Sequence, residues 1–224
     1  MKTGTKEWGN LSESLQFLKE MDLPLTSKIL DIGCYTGSLI AGLCELGFTD
    51  AHGIDVDKHS VERGWELYPE LRTQIISYDG NHLPFPDASF DTVTMFDALE
   101  HIIDLEDFLE RQVKRVLKPG GRLIFQTPNK YTNIPWEILT HKSFSKYKSY
   151  HVSLQSYSSL KHVLHNGGFR EIVITKRDIM QPYYLQPLRR YLGIMASPIA
   201  VFFNFLPPRF ATNFWGHCEK LSGK

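Results

Sequence analysis

The chain has 224 residues, with 25 Lys+Arg matched by 25 Asp+Glu and 42% hydrophobic residues. That is long enough to bury one sizeable core and too evenly charged and apolar for a wholly disordered chain. Cys34, Cys44 and Cys218 form no CxxC pair and cannot staple a secreted framework. The opening MKTGTKEWGN carries no apolar leader run, so a reducing, cytoplasmic setting is expected.

The neutral total conceals a division. The first 112 residues carry 8 basic and 21 acidic side chains, a net of −13, and the last 112 carry 17 and 4, a net of +13. Zero net charge therefore does not exclude an acidic partner for the second half.

In chain order, Leu11, Leu15 and Leu18 share one face of a helix expected over 11–21. KILDIG reads as a buried strand, GSLIAGLCEL as a helix, AHGIDVD as a strand and HSVERGWELY as a helix. TQIISYD is a third strand, and the prolines of NHLPFPDAS make a loop. SFDTVTMF is a fourth strand, and LEDFLERQVKRVL is a helix stopped by Pro119-Gly120-Gly121 before a fifth strand, GRLIFQTP. Beyond Pro128 the rhythm breaks: residues 129–152 read as an irregular, basic and aromatic insertion. A helix over 153–169, a sixth strand over 170–177 and a last strand over 211–218 follow, with a hydrophobic insertion at 179–210. Alternating strands and helices predict one α/β domain over 1–224, a Rossmann-like, mostly parallel sheet with helices on both faces.

In such a sheet ligands bind beyond the carboxyl ends of the strands. After the first strand stands Asp31-Ile32-Gly33-Cys34-Tyr35-Thr36-Gly37, a glycine turn that feeds a helix N-terminus. Asp55 follows 22 residues after Gly33, where this architecture holds a ribose diol on a carboxylate. Asp79, after the third strand, is placed to accept from an adenine amine, with Leu83 or Val56 against the ring. Together these specify an adenosine-type ligand. A dinucleotide turn needs a glycine where Tyr35 stands, so a pyrophosphate would meet a phenolic side chain. This speaks against the alternative of a nicotinamide-dependent oxidoreductase.

ILDIGCYTG, GIDVD, YDGNHLPFPDASFD, FDALEHI and RVLKPGGRLIFQTPN, in this order, resemble the class I S-adenosylmethionine-dependent methyltransferases, in the broad group that includes the UbiG-like quinone-pathway O-methyltransferases. The resemblance spans roughly Lys28 to Thr175. It implies a seven-stranded sheet with an antiparallel last strand. It also implies S-adenosylmethionine as cofactor, with Asp31 and Gly33 at its methionine part, Asp55 at the ribose and Val56 among the cofactor-binding residues. Asp79, Gly80 and Asn81 would then stand at the adenine, and Phe96 would close over the methionine end through its backbone. Tyr35 departs from the usual glycine.

FDALEHI places Asp97, Glu100 and His101 just past the fourth strand. Methyl transfer to a hydroxyl needs a proton acceptor, and histidine titrates near neutrality, which makes His101 the candidate base; the alternative is a histidine that only orders its turn. Some UbiG-like relatives bind a divalent cation through a Glu-x-x-Glu-His set. Here that set would be Asp97, Glu100 and His101, incomplete without a further ligand, so no metal is expected.

On the acceptor side, Lys130, His141, Lys142, Lys146, Lys148 and His151 alternate with Tyr131, Trp136, Phe144, Tyr147 and Tyr150. Basic groups among aromatics suit an anionic, planar or lipid-linked small-molecule or glycan acceptor, or a solvated lid; no nucleic-acid partner is expected. From Tyr191 to Pro208 no residue is charged, yet Pro198, Asn204 and Pro207-Pro208 argue against a spanning helix. With Arg189, Arg190 and Arg209 at its flanks, this stretch reads as pocket cover, dimer contact or a peripheral segment on the inner face of a membrane. A non-catalytic protein of the same fold, docking on a membrane or partner, is the remaining alternative.

Overall fold

A computed structural model describes residues 11–143, 151–177 and 182–221. Seven strands form one sheet: β1 (Ile29–Ile32), β2 (Ala51–Asp55), β3 (Ile75–Ser77), β4 (Phe90–Phe96), β5 (Leu117–Pro128), β6 (Phe169–Thr175) and β7 (Asn213–Lys220), in the order β3-β2-β1-β4-β5-β7-β6. All neighbouring pairs are parallel except those of β7, which runs antiparallel to both β5 and β6. The order reverses at β1, which pairs with β2 on one side and β4 on the other. That reversal opens a crevice at the carboxyl edge between the two halves.

β1 is buried along its whole length, as a central parallel strand covered on both faces must be. One face carries Leu30, Ile32, Leu123, Phe125 and Phe214 under the helices that follow β4 and β5. The other carries Phe17, Leu43, Ile124 and Trp215 under α1 (Leu11–Glu20), α2 (Ser38–Glu45) and α3 (Lys58–Leu67). After β4, α4 (Leu105–Phe108) passes through a π-helical turn at Leu109–Val113 into α5 (Lys114–Val116), so the expected helix is present but wound unevenly.

Several expected boundaries move. Pro119-Gly120-Gly121 does not stop a helix ahead of β5 but forms a bulge inside it: Phe90 pairs with Leu117 and Thr92 already with Arg122. The bulge is pinned by Asp91, whose carboxylate accepts from Lys118 Nζ at 2.8 and 2.9 Å. The helix expected from 153 begins at Tyr157 (α7, Tyr157–Asn166), because Ser156 and Ser159 cap each other's backbone N–H groups there.

The irregular insertion expected over 129–152 is corrected in its first half to a helix, α6 (Lys130–His141). Asn129 caps it by accepting from the Tyr131 N–H, and Pro135 lies inside it. Lys146, Lys148, Phe144, Tyr147 and Tyr150 lie outside the described residues. The hydrophobic stretch is α8 (Pro182–Leu192), a 3-10 turn at Gly193–Met195 and α9 (Ala196–Phe205). Pro198 sits in the first turn of α9, where no intrahelical N–H bond is lost. Among the described residues no helix is long and apolar enough to cross a membrane.

α1 is fastened to the far side of the sheet by one arginine. Arg177, just beyond β6, donates to Glu20 at 2.5 Å, lies 3.6 Å from Glu13 and stacks on the rings of Phe17 and Trp215 at 5.7 and 5.8 Å. Its side chain is only 11% exposed. Arg177→Met is expected to lower stability by about 2 kcal/mol in chemical denaturation, less than for a fully buried pair because solvent reaches Glu20.

Candidate active site

The cleft at the carboxyl edge is lined by Leu11, Ser14, Asp31, Gly33, Cys34, Tyr35, Ser38, Leu39, Phe96 and Asp97. Of the residues expected at a cofactor, Asp31, Gly33, Cys34, Tyr35 and Phe96 thus meet in one place. Among the described residues the lining holds two carboxylates and no lysine or arginine. Its chemistry therefore suits a ligand end that is cationic, and disfavours a pyrophosphate.

The turn that makes this cradle is built by backbone. Gly33 N–H and Cys34 N–H both donate to the Ile54 carbonyl, at 2.8 and 3.1 Å. Gly33 has φ +84°, and a Cβ there would stand 3.0 Å from that of Ala98. Gly37, at φ +75°, starts α2, and its Cβ would fall 2.0 Å from Ile75 Cδ1. Tyr35 also takes a left-handed conformation, φ +52°, the region that favours glycine. The tyrosine adopts the same turn at a cost of roughly 1–2 kcal/mol.

Asp55 ties the turn to β2: Oδ2 accepts from Tyr35 N–H at 2.7 Å and Oδ1 from Asp57 N–H at 2.8 Å. Asp31 is buried, and Thr94 Oγ1 donates to it at 2.7 Å. Burial pushes its carboxyl up to about 7, against the pull of Thr94 and with a smaller push from Asp55. Cys34 is nearly as buried, and the same loss of solvent pushes its thiol far up. Its Cβ and Sγ press where a side chain on Gly53 would lie, so this cysteine packs rather than reacts.

Asp79, Gly80, Asn81 and Val56 do not line the enclosed cleft but stand on the neighbouring β2 and β3 ends. Asp79 Oδ1 accepts from Asn81 N–H and His82 N–H at 2.9 and 3.0 Å, and the His82 bond leads in holding its carboxyl below the usual range. A Cβ on Gly80 would touch Val56 at 3.2 Å, so the two loops meet. Val56 is 61% exposed, whereas Leu83 is fully buried in the core. Leu83 is therefore corrected from candidate ring contact to core residue, leaving Val56.

Past β4, Asp97 has φ +49°, and its N–H is accepted by the Gln126 carbonyl and by Gln126 Oε1 at 3.1 and 3.0 Å. The 3-10 turn Leu99–His101 follows, with Glu100 buried and His101 exposed. Thr127 Oγ1 donates to Glu100 at 2.9 Å. Burial, then the charge of Asp97, push the Glu100 carboxyl up to about 8. His151 comes in from the segment before α7, its ring centroid 5.2 Å from that of His101, and Ser153 N–H donates to the Glu100 carbonyl. Burial and then His101 hold the His151 imidazole below its usual range.

Ligand atoms of Glu100, His101 and His151 lie within 4.8 Å of one another, close enough for an ion, and Asp97 is not in that group. The set Asp97, Glu100 and His101 considered from the sequence is thus rearranged, with His151 in place of Asp97. One oxygen of Glu100 is already held by Thr127, and the carboxyl retains its proton to near pH 8, which fits a proton-handling cluster better than a cation cage.

Residue-by-residue reading missed Leu11 and Ser14, Thr94 and Thr127, and the partnership of His151 with His101. An amphipathic helix announces its buried face but not that its first turn caps a cleft. His151 stands in the sequence as one of two histidines, with His141, in a basic segment.

Residues 30–125 match the family described as "Methyltransferase domain". The chain is 28% identical over 189 residues to the demethylmenaquinone methyltransferase of Lactobacillus johnsonii, covering 73% of this chain and 76% of that protein. It is 36% identical over 107 residues to the 27-O-demethylrifamycin SV methyltransferase of Amycolatopsis mediterranei, covering 45% of this chain but only 39% of that one. Among solved structures, Haemonchus contortus phosphoethanolamine N-methyltransferase 2 in complex with S-adenosyl-L-methionine superimposes with a TM-score of 0.67 at 17% identity, over 94% of this chain and 52% of that one. The chain therefore spans well under two thirds of the second relative and of that structure. The sheet order, the acid-lined glycine turn and the sequence match over β1 to β5 place this protein among the class I S-adenosylmethionine-dependent methyltransferases.

Proposed function

We propose that this chain, acting as one methyltransferase domain, methylates a hydroxyl oxygen of an apolar, anionic or lipid-linked small-molecule or glycan acceptor. The observation that carries this reading is the histidine pair: His101, on the turn that follows cleft-lining Asp97, has its ring centroid 5.2 Å from that of His151. S-adenosylmethionine supplies an electrophilic methyl group on a sulfonium. Asp31 and Asp97 give its ammonium and sulfonium end an anionic wall, Asp55 takes the ribose hydroxyls and Asp79 the adenine amine. The Gly33–Gly37 turn lets the backbone approach, and Phe96 and Leu11 exclude water from the methionine end. Holding the acceptor in line with the methyl group is the main work of the site. An imidazole nitrogen of His101 would take the hydroxyl proton as the C–O bond forms and the methyl C–S bond breaks, with S-adenosylhomocysteine leaving as a neutral thioether.

The wider chemistry supports this acceptor class. The cofactor side belongs to the acidic half, and the segments beyond β5 to the basic half. The acceptor named for the Lactobacillus relative, a demethylmenaquinone, is an apolar quinone.

The reading is tested by incubating the protein with S-adenosylmethionine labelled in its methyl group and a fractionated lysate. Label is expected in a lipid, glycan or small-molecule fraction as a methyl ether; label confined to carbon, to amines or to protein overturns transfer to a hydroxyl. Asp55→Ala is expected to weaken S-adenosylmethionine binding in calorimetry by on the order of 1–3 kcal/mol, the loss of a charged hydrogen-bond pair. Unchanged affinity removes Asp55 from the site.

A further inference from the structure

Half of the exposed large hydrophobic residues among those described fall within twenty positions, on the α8–α9 hairpin and the turn after it. Leu192, Ile194 and Met195 form its tip, with Ile194 92% exposed. On α9, Val201, Phe202 and Phe205 follow one another at helical spacing along the outer face, while Ala196 and Ala200 on the opposite face are buried. Phe205 is 83% exposed. A soluble surface gains nothing from such a stripe unless something covers it.

The rim of the stripe has one sign. Arg189 and Arg190 end α8 just before the tip, Arg209 follows α9, and all three are exposed. Between Asp178 and Glu219 the sequence contains no Asp or Glu. We infer that the α8–α9 hairpin is a docking surface for an anionic lipid bilayer, lying in the interface with Ile194 and Phe205 inserted and the arginines at the headgroups. Apolar side chains in the acyl boundary under a basic rim are what such an interface selects. A two-fold contact between copies fits less well, since it would bring arginine rims together with no carboxylate on the patch to meet them.

The hairpin is also fixed to the reactive edge. β6 runs parallel to β1, so α8 departs from the same edge of the sheet as the cleft. Lys176 Nζ donates to the carbonyls of Asn204 and Leu206, both at 2.5 Å, locking the end of α9 against the end of β6. Asn129, at the end of β5, donates to the carbonyls of Arg209 and Ala211 at 3.1 and 2.8 Å. A bilayer bound here would face the edge that carries the cofactor cleft. The inference needs no assumption about the methyl acceptor.

Co-sedimentation of the full chain with two vesicle types tests it, phosphatidylcholine alone and phosphatidylcholine mixed with phosphatidylglycerol. The protein is expected to pellet with the anionic vesicles and to be released from them by salt. Ile194→Asp combined with Phe205→Asp, at positions already open to water, is expected to weaken that partition at least about tenfold. Arg189→Gln and Arg190→Gln should each weaken it about fivefold. S-adenosylmethionine affinity by calorimetry should be unchanged in all of them, which shows that they fold and separates this outcome from failure of the methyltransferase reading. No pelleting with either vesicle, or equal pelleting with both, overturns the inference. So does a concentration-dependent dimer that Ile194→Asp dissolves, since the patch would then be a contact between copies.

Discussion

Replacing His101 by alanine is expected to lower kcat for methyl transfer to a hydroxyl acceptor by about 10²–10⁴, the usual contribution of a positioned proton acceptor. The affinity for S-adenosylmethionine should not move, because His101 is absent from the lining of the cofactor cleft. His151 beside His101 is held below its usual range by burial first and then by the charge of His101. His151→Ala should keep most of the activity, because His101 remains on its turn. A histidine that only orders the turn gives a different result: His101→Asn would restore the rate.

The parts of this site that were legible in the sequence are those built locally. Asp31, Gly33, Gly37 and Asp55 sit at strand ends and in one tight turn, where a short stretch of chain dictates both conformation and direction. The same holds for β1 to β4, whose apolar runs are separated by clear glycine, proline and aspartate signals. What the sequence left obscure depends on distant contacts. Leu83 and Val56 were equal candidates for the adenine ring, because a loop gives no period from which burial can be read; packing against β4 and Arg115 decided it, with the Arg115 guanidinium donating to the Leu83 carbonyl at 2.8 Å. α6 was hidden by Pro135 and by a basic-aromatic composition with no clean apolar stripe. It forms where Asn129 anchors it, and that side chain holds carbonyls 80 and 82 residues away. His151 reaches His101 from a segment held by distant contacts: Ser153 N–H donates to the Glu100 carbonyl, and the Gln155 carbonyl accepts from Lys130 N–H.

The folded chain is also expected to lose stability as pH rises from about 6 to about 9, by roughly 2–4 kcal/mol in chemical denaturation without ligand. Asp31 and Glu100 are the cause: burial pushes their carboxyls up to about 7 and about 8. The native state thus keeps two protons that the unfolded chain has already lost. The stability they contribute is fully present below the ordinary carboxylate range and disappears as pH passes through the two raised values. The thiols of Cys34, Cys44 and Cys218, also pushed up by burial, add a loss of the same sign only above about pH 8, where unfolded thiols begin to ionise. Glu20, Asp57, Asp79 and Asp91 are lowered, so their contribution fails only in acid, far below the window. The lowered His151 and His217 act with the opposite sign, and mostly beneath it. Asp31→Asn and Glu100→Gln should each remove part of the slope, and the double variant nearly all of it below about pH 8; a wild-type slope there in the double variant would mean that neither carboxyl holds its proton. The cofactor supplies a second readout. A cationic ligand beside Asp31 favours the ionised carboxylate, so S-adenosylmethionine should bind more tightly as pH rises toward about 8. That gain should vanish in Asp31→Asn and survive in Glu100→Gln, which separates the carboxyl that faces the ligand from the one that stands behind the histidines.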